Sequence, residues 1–194
     1  MIKNLKTSLI ILSITIIIFI WNNRNQSNLE TFYEPIFKYN SENITKFLIK
    51  EGNESIEIVK NDTIWEISNN DSLVIKSRSI ESLFDKVLKL NKSTIISENP
   101  DKYIKYSVDD SSGIHLKIFN NKDENLGNYI FGRSKSDYSR SYIRIGNDPK
   151  VYLADQNVIY MLQTKPTYWG EKPKLDIPTQ SIATDSLMIP QSTD

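Results

Sequence analysis

The first 24 residues constrain this chain more than any other feature. Lys3 and Lys6 precede an uncharged stretch of 17 residues, Thr7 to Asn23, whose centre from Leu9 to Trp21 is almost wholly apolar. A helix packed in a globular core keeps one polar face, and this segment has none. Basic residues followed by such a stretch mark export to, or insertion in, a membrane. As a helix it would span about 25 Å at about 1.5 Å per residue, slightly short of a hydrocarbon core of about 30 Å. Snorkelling by Lys6 and Arg24 would make up the difference. A cleaved signal peptide could have the same length, but cleavage favours small residues in an Ala-x-Ala-like arrangement. The first Ala in the chain is Ala154, and with no Cys there is none to acylate. The reading is a retained signal-anchor over residues 1–24, in contact with the membrane through residues 7–23, with the remainder outside the cytoplasm.

The rest of the 194 residues is enough for one domain. Basic and acidic residues number 24 each, so the zero net charge argues against a nucleic-acid binder, which needs a basic excess to meet phosphates. The lack of Cys excludes disulfide scaffolds and thiol nucleophiles, and a lone His leaves little for metal or acid–base work. The sequences GxGxxG, GxxxxGK[ST], HExxH and GxSxG do not occur. No residue is assigned a catalytic, cofactor-binding or metal role, and no cofactor is expected.

Residues 44–170 carry the periodic signals. ITKFLIK (44–50), SIEIVK (55–60) and TIWEIS (63–68) read as hairpin-linked strands, with Thr63, Trp65 and Ile67 on one face. SIESLFDKVLKLN (79–91) reads as an amphipathic helix: Ile80, Leu83, Phe84, Val87 and Leu88 repeat at i, i+3, i+4, i+7 and i+8, with Ser79 as N-cap. After a turn-rich connector (97–113) come GIHLKIF (113–119), GNYIFG (127–132), SYIRIG (141–146) and KVYLAD (150–155). NVIYMLQ (157–163) reads as a closing helix. The expected fold is α+β, with antiparallel strands in two βββα-like halves and helices packed on the sheet. Residues 25–43 read as a spacer whose stretch 32–40 is aromatic enough to meet the domain edge. Residues 171–194, with three Pro and scattered Ser, Thr and Gln, read as a disordered tail.

Few side chains suggest chemistry. His115 shares its strand face with Lys117 and should be solvent-exposed or half-exposed. Asp109 and Asp110, in DDSSG, could bind a cation or do acid–base work, but Asp and Ser also bond their own backbone in a turn that starts a strand. Arg133, Lys135 and Arg140 in GRSKSDYSRS could hold an anion, or could be a solvated hairpin loop. Trp65, Tyr142, Tyr152, Tyr160, Tyr168 and Trp169 are of types that usually fill cores or sheet faces, and Trp65, just before the helix, is expected in the core beneath Leu83, Phe84 or Val87.

In IVKNDTIWEI, the helix SIESLFDKVLKL, YSVDDSSGIHLKIF, YIFGR, SYIRI and KVYLAD, the chain resembles a bacterial family, the domain of unknown function numbered 4340. The order and spacing of these loose motifs carry the resemblance, over about 44–170. The family pattern often has Gly where this chain has Ser107, and a Pro after the Trp strand that is missing here. The resemblance implies a membrane-anchored extracytoplasmic domain without assigned activity. Some relatives look like companions of ABC-type transport systems of the gliding-motility kind. The expectation is a non-enzymatic, single-pass protein of the bacterial inner (cytoplasmic) membrane, its domain on the periplasmic side, contacting a protein partner in an envelope complex. An anchored binding module for a cell-wall polymer or small ligand is the alternative, and an envelope hydrolase a third.

Overall fold

The structure is a computed structural model that describes residues 8, 10–20, 33–135 and 137–173. Residues 10–20 are helical, and their large apolar side chains are 49 to 68 % exposed. Among the described residues no helix is long and apolar enough to cross a membrane. The flanks of the expected 7–23 span, most of the spacer and the tail from 174 lie outside the described residues.

Alternation of apolar and polar residues builds one nine-stranded antiparallel sheet. Its strands are β1 (Glu34–Pro35), β2 (Ile44–Glu51), β3 (Glu54–Asn61), β4 (Ile64–Ile67), β6 (Asn91–Ser97), β7 (Ile114–Asn120), β8 (Asn125–Arg133), β9 (Ser141–Ile145) and β10 (Val151–Ala154). The order across the sheet is β1-β6-β10-β9-β8-β7-β2-β3-β4. A separate two-stranded ribbon pairs β5 (Val74–Ile75) with β11 (Gly170–Glu171). Two tight turns make the β2-β3-β4 meander, with left-handed backbone at Gly52 (φ 59°) and Asp62 (φ 54°).

Every second residue of the central strands faces one core. Phe47 and Ile49 of β2, Ile56 and Ile58 of β3, Leu116 and Ile118 of β7, and Tyr129 and Phe131 of β8 are buried there. Ile80, Leu83 and Val87 cover them from a helix (Ser77–Ser82) that runs on through one π-helical turn (Leu83–Val87). The other face is covered where the connector from β6 to β7 crosses it: Val108 packs with Ile130 and Val151, beside Tyr103, Tyr106 and Tyr142. The approach is close enough that a Cβ on Gly132 would lie 2.0 Å from the Tyr106 carbonyl oxygen, so only Gly fits there. Ser107 ends the short helix Tyr103–Tyr106 with φ 54°. Glycine adopts that conformation most easily.

Antiparallel strands with helices give the α+β class the sequence predicts, and the seven predicted strands are present with bounds shifted by one or two residues. The two halves share one continuous sheet, joined where β7 pairs with β2. Between them in sequence lies β6, which the periodicity does not reveal: Ile95 and Ile96 are adjacent, and their alternation is hidden among Asn, Lys, Ser and Thr. Ser79 does not cap the helix. Lys76 holds the N-cap position without a side-chain bond, and the Ser79 hydroxyl donates to the Tyr168 carbonyl at 3.1 Å. NVIYMLQ forms only a 3-10 turn (Ile159–Met161), because its apolar residues plug the core without helical periodicity. At the end of the expected spacer, β1 pairs with β6, and Ile36 and Phe37 enter the core.

Candidate functional site

Most of the polar side chains singled out by the sequence have partners within the chain; Lys135 is exposed. The Asp109 carboxylate accepts bonds from the hydroxyls and backbone N–H groups of Ser111 and Ser112. Those serine hydroxyls, more than the amides, hold its carboxyl well below the usual range. Asp110 pairs with Arg144, whose Nε also donates to the Val108 carbonyl at 3.0 Å and whose guanidinium lies over the Tyr103 ring. The two carboxylates therefore act as a turn anchor and an ion-pair partner. His115 is half-exposed, as expected, with Nε2 3.1 Å from the Asp110 carbonyl oxygen. Arg133 faces Glu51 at 3.4 Å and Arg140 faces Asp137 at 3.3 Å, so this loop's arginines already have carboxylate partners. Among the described residues no group of three or more acidic or His side chains could hold a metal ion.

The aromatics divide. Trp169 is fully buried and its indole N–H donates to the Gln163 carbonyl at 2.6 Å. Tyr129 is buried against Phe37 and donates to the Tyr39 hydroxyl at 3.0 Å. Its pKa is pushed up, mainly by burial and secondarily by Tyr39. Tyr152 is buried, and Tyr142 lies edge-on to Tyr106 at 5.0 Å. Tyr160 is exposed. Trp65, expected in the core, is only half-buried. One face of its indole stacks on Phe47 at 5.4 Å and an edge meets Phe84 at 5.9 Å. It shares a sheet face with Ile67 as predicted, but β4 is the outermost strand, so the ring is covered from one side.

What Trp65 leaves open is an apolar groove. Two adjoining hollows of about 380 and 420 Å³ run between the outer edge of β4 and β5, and Ile64, Trp65, Val74 and Ile75 line both. Ile64 is 64 % and Val74 54 % exposed. Glu66, Asp71 and Glu81 sit among the lining residues, giving an apolar floor with acidic margins. The far wall exists because β11 pairs with β5 (Gly170↔Ile75) and the Lys76 N–H donates to the Trp169 carbonyl at 2.8 Å. Neither hydrophobic periodicity nor motif spacing reveals this groove. The available signal is Ile64 itself, an apolar residue on the polar face of TIWEIS beside Glu66, followed by the unassigned apolar run Leu73-Val74-Ile75.

The pattern of one protein family, a domain of unknown function (DUF4340), matches residues 65–187. Neither the curated proteins nor the solved structures contain a match. The match covers well over half of the chain, and the chain belongs to the DUF4340 family.

Proposed function

We propose that this DUF4340 member is a single-pass protein of the bacterial inner membrane whose extracytoplasmic domain works without catalysis, by docking a protein partner of an envelope complex along the β4–β5 groove. One observation carries the reading: a sheet edge with an open apolar groove whose exposed residues, Ile64 and Val74, flank a half-buried Trp. Monomeric soluble domains normally blunt such edges, and exposed apolar patches mark interaction surfaces. Anchoring is supported by the apolar residues of the helical stretch 10–20, exposed on every side, and by Lys3 and Lys6 before it. The family resemblance points to an ABC-type transporter as the complex.

Full-length protein purified from detergent-solubilised membranes tests this. Wild type is expected to bring down a defined envelope partner, with a transporter permease and ATPase the specific expectation, and Ile64→Asp to lose it. Recovery of the same partner by both proteins, or of none by wild type, would contradict the groove reading. The groove's volumes also fall in the small-ligand range of about 300–1,000 Å³. That favours, as a second reading, an anchored binding module for an apolar ligand; saturable binding of such a ligand that Trp65→Ala abolishes would establish it.

A further inference from the structure

We propose that the partner enters the β4–β5 groove as an added strand, antiparallel to β4, that carries the pattern basic–apolar–apolar opposite Glu66, Trp65 and Ile64. This names the partner chemistry of the docking role proposed above and rests on it.

The direction of the backbone groups of β4 carries the inference. In an antiparallel pair, opposed residues alternate between those that exchange both backbone hydrogen bonds and those that exchange none. Ser68, the residue after β4, donates its N–H to the Glu57 carbonyl at 2.9 Å. With the register Ile67↔Ile58, Glu66↔Val59, Trp65↔Lys60 and Ile64↔Asn61, the bonded pairs are then 66/59 and 64/61. The turn from Asn61 to Ile64 agrees, because such a turn closes with a bond from the N–H of its fourth residue to the carbonyl of its first. Trp65 and Ile67 therefore point their N–H and C=O groups away from β3. The Ile67 carbonyl is taken by the Asn70 N–H at 3.1 Å. The Trp65 N–H and carbonyl and the Ile67 N–H have no partner among the described residues, where no strand pairs beyond β4. These are the groups that an added strand bonds.

The side chains around them set what that strand carries. A residue opposite Trp65 exchanges both bonds with it and turns its side chain to the face of the indole, where Val74 and Ile75 line the groove. An apolar side chain fits there. Its two neighbours face the other side of the sheet, opposite Glu66 and Ile64. Ile64 is largely exposed, so an apolar residue opposite it takes both from water. Glu66 is exposed and accepts from the Asn61 side-chain amide at 2.7 Å, with no cation paired to it among the described residues. Glu66, Asp71 and Glu81 are acidic among the lining residues and none is basic. A basic residue opposite Glu66 answers that charge, and the antiparallel direction places it before the two apolar residues. The same acidic lining argues against a second copy of this chain, which would set like charges against each other.

The test uses full-length protein in detergent and a short fluorescein-labelled peptide with Lys-Val-Ile at its centre and Ser and Thr elsewhere, with binding read by anisotropy. Three altered peptides accompany it. One is N-methylated at the Val amide, which removes the bond to the Trp65 carbonyl and keeps every side chain. One has Glu in place of Lys, and one has the centre reversed to Ile-Val-Lys. The protein variant is Glu66→Lys, with circular dichroism confirming that it is folded. The expected result is saturable binding of the parent peptide below about 1 mM. N-methylation should weaken it by roughly tenfold or more, the scale of one lost hydrogen bond, and the reversed peptide should bind more weakly than the parent. Glu66→Lys should weaken binding of the parent by about two- to fivefold, the scale of one opposite-charge cross-strand pair, and should regain it with the Glu-Val-Ile peptide. Equal binding of the N-methylated or reversed peptide, no rescue by the charge exchange, or no saturable binding of the parent would overturn the proposal. Failure of the peptide together with a dimer that Ile64→Asp dissociates would also overturn it, and would assign the groove to a second copy. An envelope partner that wild type recovers and Ile64→Asp loses, combined with indifference to N-methylation, would remove this inference and leave the docking function intact.

Discussion

The two edges of the sheet are finished in opposite ways. At one edge, β1 is two residues long and contains Pro35, which cannot donate to a further strand. Glu34 beside it is held by Lys38 at 2.5 Å and Lys92 at 2.9 Å, and Ile36 and Phe37 turn directly into the core. At the other edge, β4 has no Pro and no salt bridge among the described residues, and it shows Ile64 and half of Trp65 to solvent. Short length, Pro and charge are the usual means of blocking edge-to-edge association. Pro35 and the ion pairs of Glu34 stand against the exposed Ile64 of β4; the proposed contact surface rests on that contrast, and the β1 edge is its natural control.

Substitutions should separate the edges by size of effect. The largest loss is expected from Trp169→Ala. It empties a fully buried ring beneath the groove's far wall and should cost about 3–5 kcal/mol in urea titration, with partner recovery falling as β11 and β5 loosen. Phe37→Ala at the closed edge should cost about 3 kcal/mol by removing a ring 4.4 Å from Tyr129, yet leave partner recovery unchanged where the domain remains folded. Trp65→Ala should cost about 2 kcal/mol, below the range for a fully buried ring, and should also remove the groove floor. A cost of about 4 kcal/mol or more would mean that Trp65 is a core residue after all. Ile64→Asp should change stability by no more than about 0.5 kcal/mol, as surface changes do, while abolishing recovery.

The smallest effect concerns pH at the closed edge. Hydrogen bonds from Lys38 and then Lys92 lower the Glu34 pKa from 4.5 to about 2. A depressed carboxylate contributes stability that is fully present above its unfolded value and is lost as pH falls through the folded one. Glu34→Gln should therefore flatten the stability profile between pH about 5 and about 2, and leave its shape above that window unchanged. An NMR titration that places Glu34 near 4.5 would show that these lysines do not close the edge.

How far the sequence reveals this architecture depends on local regularity. Phe47 and Ile49, or Leu116 and Ile118, alternate cleanly with polar neighbours, so their strands can be read from the chain alone. The helix is equally visible through Ile80, Leu83 and Val87. Strand β6 is not, because a strand at the second rank from an edge, with Ser93 and Ser97 as its buried residues, has little apolar period to show. The same reason hides the groove. Whether Trp65 is core or surface depends on which strand ends the sheet, and that is set by pairings such as β7 with β2 and β10 with β6, far apart in sequence. The alternation puts Trp65 on the face of Ile67, as observed, but carries no sign that β4 ends the sheet among the described residues.

The most direct measurement compares the two edges in the native membrane. A photoreactive amino acid is placed at Ile64 in one full-length protein and at Lys38 in another, and each is irradiated in membranes of the natural host. The expected result is a discrete higher-mass adduct from position 64 and none from position 38, with Val74→Asp in the first protein removing it. Adducts of equal yield from both edges, or an adduct from Lys38 alone, would contradict the assignment of β4 as the contact surface.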